Sequence, residues 1–318
     1  MTWLVTGGAG YIGAHVVRSM AANGTDVVVL DDLSTGDASR IPGVPLVVGT
    51  LRDRDLVRGV MRAHSVHGVV HIAGKKQVGE SVANPLLYYR ENVDGMVALL
   101  DCCQEYGVAK FVFSSSASVY GVPDVELVTE HTPCQPVNPY GETKLVGEWM
   151  IRDCTTAWGL DAICLRYFNV AGAASPELGD PGAFNLIPLV FEALSRGQRP
   201  KVFGDDYPTP DGTGVRDYVH VADVADAHLA ATSALEGGAH SATYNIGRGE
   251  GFSVLEVLRA VGEVTGLDVT PEVVARRAGD PARVVAAVDR IRDGLGFTTA
   301  HELHSMVDSA WSGWQLRH

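Results

Sequence analysis

Apolar and polar positions follow two different periods along the first half of the chain. Short runs dominated by apolar residues at 2–6, 26–30, 46–48, 68–72, 110–113 and 162–165 predict strands. Between them, longer amphipathic stretches at 11–23, 53–63, 86–106 and 140–158 predict helices. Gly24, Gly107 and Gly159 each follow such a stretch, where a helix end takes a residue free to adopt positive φ. Strand–helix alternation at this spacing predicts a parallel sheet covered on both faces.

Beyond Asn169 the texture changes. Residues 171–182 are rich in Ala, Gly and Pro, and 205–214 crowd Pro, Gly and Asp into one long loop. Shorter helical patterns at 186–196 and 221–235 alternate with strands such as 243–246. This part reads as a smaller lobe that closes over the first, with some segments returning to the main fold. No internal repeat is visible.

Composition narrows the classes. The 318 residues are 46% hydrophobic and 20% charged, enough apolar material for a sizeable core, which excludes a disordered or low-complexity chain. A net charge of −13 argues against a general grip on nucleic acid or anionic lipid, so neither is expected as a partner. An anionic ligand must then be held by a few focused cations or by backbone N–H groups. The five cysteines include no C-x-x-C pair and read as idle thiols in a reducing compartment. No apolar run is long enough to span a membrane, and Trp3-Leu4-Val5 already reads as a first strand rather than a secretory leader, so the expected location is the cytoplasm.

The first candidate chemistry follows the first strand. In Thr6-Gly7-Gly8-Ala9-Gly10-Tyr11-Ile12-Gly13, glycines 7, 10 and 13 allow a sharp turn, close approach of a pyrophosphate, and tight helix–strand packing. The helix that follows offers its N–H groups and positive dipole end to phosphates. Asp31 ends the second strand, where a carboxylate accepts from a ribose 2′-hydroxyl. Asp31 and Asp32 together repel a 2′-phosphate, so the expected cofactor is NAD and not NADP. The fold class is thus α/β: a Rossmann-like doubly wound parallel sheet over 1–170, with a smaller C-terminal α/β substrate-binding lobe over 171–318.

The second lies further on. Phe113-Ser114-Ser115-Ser116 leaves the fifth strand at the carboxyl edge of the sheet, where ligands of α/β proteins bind. Tyr140-Gly141-Glu142-Thr143-Lys144 then opens a helix, and its i,i+4 spacing puts phenol and ammonium on one face. An adjacent ammonium and a cationic nicotinamide would lower the phenol's pKa, making Tyr140 a general base near neutrality, with Ser116 bonded to the same substrate oxygen. His64, His67 and His71 suggest a metal, but 67 and 71 on one strand lie ~13 Å apart, too far to share an ion, and no metal is expected.

With these residues in view, the chain resembles the extended short-chain dehydrogenase/reductases, and within them the UDP-galactose 4-epimerases. The resemblance runs through Val5 to Gly13, Val78-Gly79-Glu80-Ser81-Val82, Ser114-Ser115-Ser116, Asn138-Pro139-Tyr140-Gly141, Leu165-Arg166-Tyr167-Phe168-Asn169, and the long stretch from Asp206 to Tyr218. It implies Ser116, Tyr140 and Lys144 as the catalytic set. It implies Gly7, Gly10, Tyr11, Ile12, Gly13, Asp31, Lys76, Asn92 and Tyr167 as cofactor contacts, together with Tyr140 and Lys144. Asn169, Asn185, Leu186, Arg216, Arg277 and Asp280, with Ser116, are implied around a UDP-hexose; Arg216 and Arg277 supply the focused cations that an acidic chain needs for a diphosphate. A homodimer formed through 86–106 and 140–158 is implied as well. The implied reaction takes a hydride from the sugar's C4 to NAD and returns it to the other face of a 4-keto sugar, interconverting UDP-glucose and UDP-galactose.

Departures from the family pattern matter too. Relatives that eliminate water or decarboxylate carry an acidic residue just after the strand-end hydroxyl, whereas this chain has Ala117 and Ser118, which favours epimerisation. Thr50 stands where the family has an aspartate that accepts from the adenine amino group, and Lys75 where it has an apolar residue. Aligning on Arg276-Arg277-Ala278-Gly279-Asp280-Pro281 puts the gate beside the sugar's C2 substituent at Val284, next to Arg283. Valine lacks the tyrosine ring that closes this gate, so N-acetylated UDP-hexoses are expected to be accepted. The alternatives are a nucleotide-sugar 4,6-dehydratase or decarboxylase, whose product differs in mass, and a non-catalytic NAD-sensing regulator, which the intact Ser116–Tyr140–Lys144 set disfavours.

Overall fold

Alternating strands and helices do dominate the computed structural model, which describes residues 1–182, 184–277 and 279–318. Strand β1 (Thr2–Thr6) leads through the glycine loop into α1 (Tyr11–Ala22), followed by β2 (Asp26–Asp31), β3 (Leu46–Val48), α2 (Arg54–Ala63) and β4 (Val66–His71). Then come the short helices α3 (Val78–Ala83) and α4 (Pro85–Tyr88), a π-helical turn over Tyr89–Asp94, α5 (Gly95–Tyr106), β5 (Lys110–Ser116), α6 (Pro139–Trp158) and β6 (Asp161–Tyr167). The six strands and a seventh at Ala242–Ile246 form one parallel sheet in the order Ala242–Ile246, β6, β5, β4, β1, β2, β3. The chain moves outward from β1 to β3, then crosses back to β4. Carboxyl ends of β1 and β4 therefore flank a topological switch point, the place where open α/β sheets take ligands.

Two sequence expectations need correction. The helix read over 86–106 is interrupted: Pro85 opens α4, and a regular α-helix resumes only at Gly95, after the π turn. Second, β5 does not stop at 113 but carries Ser114, Ser115 and Ser116 as buried strand residues, because each polar atom there finds a partner inside the protein.

The chain forms two compact units. The first comprises Met1–Gly121, Cys134–Arg166 and Ala225–Tyr244. Its core is built from sheet residues such as Leu4, Val28, Val69 and Phe111 against helix residues Val57, Leu99, Cys103 and Ile151.

Unit two comprises Val122–Pro133, Tyr167–Val224 and Asn245–His318. After β6 the chain continues as β7 (Asn169–Ala171), α7 (Leu186–Ser195), β8 (Lys201–Phe203), β9 (Val215–His220), α8 (Val221–Glu236), β10 (Ala242–Ile246), β11 (Gly251–Ser253), α9 (Val254–Thr265), β12 (Glu272–Val274), β13 (Arg283–Val284), α10 (Asp289–Leu295) and α11 (Leu303–Gln315), of which most of α8 and β10 falls in the first unit. Strand β9 pairs with β7, β11 and β13, and β8 pairs with β12. A capping box of Ser253 and Glu256 starts α9. Phe191 of α7 packs against Trp311 and Trp314 of α11, which closes this unit's core.

Candidate active site

The glycine loop between β1 and α1 has no room for a side chain at Gly7 or Gly13. Gly7 holds φ +70°, and a Cβ there would sit 2.7 Å from the backbone N and Cα of Ala73. A Cβ on Gly13 would lie 2.0 Å from the Gly7 carbonyl oxygen. The loop is thus drawn against both the strand beside it and its own helix. Gly10 caps α1 without a side chain, which leaves first-turn N–H groups pointing outward as an anion cradle. This backbone fits a dinucleotide pyrophosphate.

Asp31, at the end of β2, accepts from the Ala9 N–H and the Leu33 N–H, both at 2.9 Å, so one carboxylate ties the cradle to the next loop. Burial raises its pKa, and the two N–H donors work in the opposite direction. The Gly49 N–H donates to the Asp31 main-chain oxygen at 3.0 Å, which sets Thr50 one residue beyond that contact. The Thr50 hydroxyl accepts from the Arg52 N–H at 3.3 Å.

The π turn has a visible consequence. It carries the buried Asn92, whose amide oxygen accepts from the Lys75 N–H at 2.7 Å and whose amide nitrogen donates to the Lys75 carbonyl at 3.0 Å and to Thr143 Oγ1 at 3.0 Å. What residue 75 supplies to this network is its backbone, so its side chain need not be apolar. Lys76 Nζ stands 5.6 Å from the centre of the Tyr11 ring.

The three histidines separate. His64 caps α2, His67 reaches Glu236 at 3.3 Å, and His71 is buried with Nδ1 2.7 Å from Thr6 Oγ1 and its ring stacked on Phe113.

Ser116, Tyr140 and Lys144 come together in the first unit. Asn138 caps α6 by accepting from the Gly141 N–H at 2.9 Å, and Pro139 opens its first turn, so Tyr140 and Lys144 lie on its inward face. The Ser116 hydroxyl lies close enough to the Tyr140 phenol to influence its ionisation, and it accepts from the Ser118 N–H at 3.1 Å. Lys144 Nζ donates to the Ser114 carbonyl at 2.8 Å and lies 5.0 Å from the Phe113 ring centre. All three side chains are at least nine-tenths buried.

The electrostatics differ from the sequence expectation in one respect. In the protein by itself, burial pushes the Tyr140 phenol up, and the opposing influence is the Ser116 hydroxyl rather than Lys144. Burial pulls the Lys144 ammonium down to about 8, while the Glu148 carboxylate works to keep it charged. His71 is driven down to about 3, first by burial and then by Lys144, which makes it a neutral neighbour. The residues after Ser116 form a 3₁₀ turn over Ala117–Tyr120 with no carboxylate in it.

In the second unit, Arg216 of β9 and Val284 of β13 are ladder partners, and Arg216 Nη2 is 3.5 Å from Asp280 Oδ1. Cross-strand partners share a face. Arg283 donates instead to the Glu126 carbonyl at 3.4 Å, so Val284 and not Arg283 flanks Arg216. The Arg277 guanidinium lies 3.8 Å from the Phe203 ring centre. Asn185 caps α7 just before Leu186, with its amide 3.3 Å from Asp180, while Asn169 starts β7 and Tyr167 ends β6. Ala278 of the aligned motif lies outside the described residues.

Reading the sequence missed Glu148, Arg166 and His71 beside the Tyr–Lys pair. For Glu148 a signal existed: it falls one further turn along the Tyr140–Lys144 face.

Residues 3–247 match the model of the NAD dependent epimerase/dehydratase family. A UDP-glucose 4-epimerase of Azospirillum brasilense is 47% identical over 316 residues, covering 97% of this chain and 90% of that protein. One from Halalkalibacterium halodurans is 43% identical, covering 100% of this chain and 96% of that protein. Among solved structures, the UDP-glucose-4-epimerase of Stenotrophomonas maltophila with bound NAD and formylated UDP-arabinopyranose superposes with a TM-score of 0.95, at 42% identity, over 99% of this chain and 98% of that one.

Proposed function

Because the chain belongs to the NAD dependent epimerase/dehydratase family, we propose that it interconverts UDP-glucose and UDP-galactose, with NAD as its resident cofactor. The observation that carries this reading is the buried Ser116–Tyr140–Lys144 set, assembled in the same unit as a glycine loop that admits no Cβ at Gly7 or Gly13. Gly7, Gly10, Tyr11, Ile12, Gly13, Asp31, Lys76, Asn92 and Tyr167 hold the cofactor, and residues 1–170 form its domain. When bound, NAD would supply a hydride acceptor for the sugar's C4 that is restored within each cycle, so it would not be consumed.

The chain's own groups handle the proton. Tyr140, as phenolate, takes the proton of the 4-hydroxyl and later returns it. Ser116 orients the reacting oxygen and opposes the effect of burial on the phenol; with NAD bound, the Lys144 ammonium and the cationic nicotinamide together would favour the phenolate. Burial excludes water from these three groups, which strengthens each electrostatic contact among them. Residues 171–318 hold the UDP-hexose: Arg216 and Arg277 meet the diphosphate, with Asn169, Asn185, Leu186 and Asp280 beside them. Val284 leaves space for an acetamido group, so N-acetylated UDP-hexoses are substrates as well.

The molecule is a homodimer that acts in galactose metabolism in the cytoplasm. Exposed Val82, Leu86 and Trp149 on α3, α4 and α6 support an apolar dimer face, and five free cysteines suit a reducing compartment.

Incubation with a panel of UDP-hexoses and NAD, read by NMR and mass spectrometry, tests the reading. Epimers of unchanged mass are expected. A product lighter by water or carbon dioxide, or no turnover with NAD bound, would defeat it.

A further inference from the structure

The face of α6 that carries Tyr140 and Lys144 continues one more turn to Glu148. Each of these side chains meets one of three consecutive serines at the end of β5. The Ser114 carbonyl accepts from Lys144 and the Ser115 hydroxyl donates to Glu148 Oε1 at 2.5 Å, while the Ser116 hydroxyl lies beside the Tyr140 phenol. Helix and strand are thus tied by two hydrogen bonds, at Lys144 and Glu148, which flank the position where Ser116 and Tyr140 face each other.

Glu148 is itself anchored. Its carboxylate accepts from Arg166 of β6, from Nε at 2.8 Å and from Nη2 at 2.5 Å. Arg166 Nη1 donates to the Tyr120 hydroxyl at 2.9 Å, and the guanidinium lies 4.9 Å from that ring's centre. Both members of the pair are buried. Burying an ion pair forfeits hydration that an apolar pair of the same volume would not lose, so stability alone is a weak reason for placing one here.

We propose that Glu148 is a positioning residue: through Ser115 it fixes the strand end from which Ser116 addresses Tyr140, and it sets a negative charge one turn from Lys144. This rests on the epimerase reading for its catalytic consequence. The groups facing Glu148 are Lys144 on its own helix, Arg166 and Cys164 on β6, and Cys134, with Tyr120 facing Arg166. Lys144 is faced by Glu148 and by the neutral His71 of β4. Among these, Glu148 is the group whose charge favours the ammonium.

Glu148→Gln alone strands a buried guanidinium and can fail to fold, so the deciding variant replaces both partners, Glu148→Leu with Arg166→Met. With UDP-glucose we expect its kcat to fall by at least about fivefold while KM stays within about twofold. The alkaline limb of its kcat profile should move to lower pH by at least about half a unit, because Lys144 gives up its proton more readily. A carbon-13 titration of the Lys144 Cε signal, assigned by its loss in Lys144→Arg, should show the same displacement without any substrate. Ser115→Ala removes neither charge nor bulk; it should lower kcat and leave the limb in place. Near-wild-type kcat in either variant, or an unmoved Lys144 titration, would overturn the proposal. Ser115→Ala still decides if the double variant does not fold. A wild-type chain inactive on UDP-hexoses defeats the epimerase reading instead, and the Lys144 titration then judges Glu148 by itself.

Discussion

Adding one methyl group at Gly13 should be enough to disable the cofactor cradle. The Cβ of Gly13→Ala would stand 2.0 Å from the Gly7 oxygen and 2.8 Å from the Gly8 Cα, so the Gly7 peptide must retreat by more than ~1 Å to reach ordinary contact. Residue Gly7 has little freedom. Its N–H donates to the Leu30 carbonyl at 2.9 Å, its oxygen accepts from the Gly10 N–H at 3.2 Å, and its Cα faces the Ala73 backbone. Overpacking against a site that cannot yield costs ~1–3 kcal/mol, and here the upper half of that range applies. Expressed in NAD affinity it is a loss of roughly thirtyfold to over a hundredfold. Calorimetric titration of NAD into stripped protein measures it. Two controls bracket the effect. At Gly10 the new Cβ would meet only the Gly7 oxygen, at 3.3 Å, so Gly10→Ala should cost under about fivefold. At Gly59, inside α2, nothing lies within 4 Å, and Gly59→Ala should raise Tm by about 1–3 °C through helix propensity. Gly13→Ala binding NAD within about twofold of wild type would refute the claim that this contact is rigid.

Tyr140→Phe should keep the fold and lose at least ~10² in kcat, the low end for general-base catalysis; more than a tenth of wild-type kcat would remove Tyr140 from the mechanism. His71 is held at about 3, so the unfolded chain takes up a proton below its ordinary 6.5 that the folded protein refuses. Its contribution to stability is complete above pH 6.5 and is lost as pH falls toward 3, by up to ~1.4 kcal/mol per unit. Chemical denaturation of His71→Phe between pH 4 and 6 should therefore show a flatter profile, and an identical slope would refute it. Thr50→Asp should tighten NAD several-fold by adding one hydrogen bond worth ~1 kcal/mol, read as Kd; unchanged or weaker binding would mean adenine is held elsewhere. If Val284 leaves the gate open, kcat/KM for UDP-GalNAc should lie within ~10³ of that for UDP-galactose, and a larger preference would mean the gate is shut.

What the sequence by itself determined is what depends on local backbone demands. Gly7 and Gly13 announce a turn that only glycine can make, Asn138-Pro139 starts a helix, and the spacing of Tyr140 and Lys144 puts both on one side of it. These features have a fixed reach along the chain, so a periodicity can display them. The tertiary structure alone decided the rest. A π turn at Tyr89–Asp94 that turns Asn92 inward, where a plain helix was expected, leaves no mark in hydrophobic spacing. The strand that carries Ser114–Ser116 into the interior exists because His228 and Glu148, from distant parts of the chain, satisfy the Ser114 and Ser115 hydroxyls. Glu148 and Arg166 pair across eighteen positions, and Val284 stands beside Arg216 across sixty-eight. Such partners are selected by burial and strand register, and neither can be read from a segment taken alone.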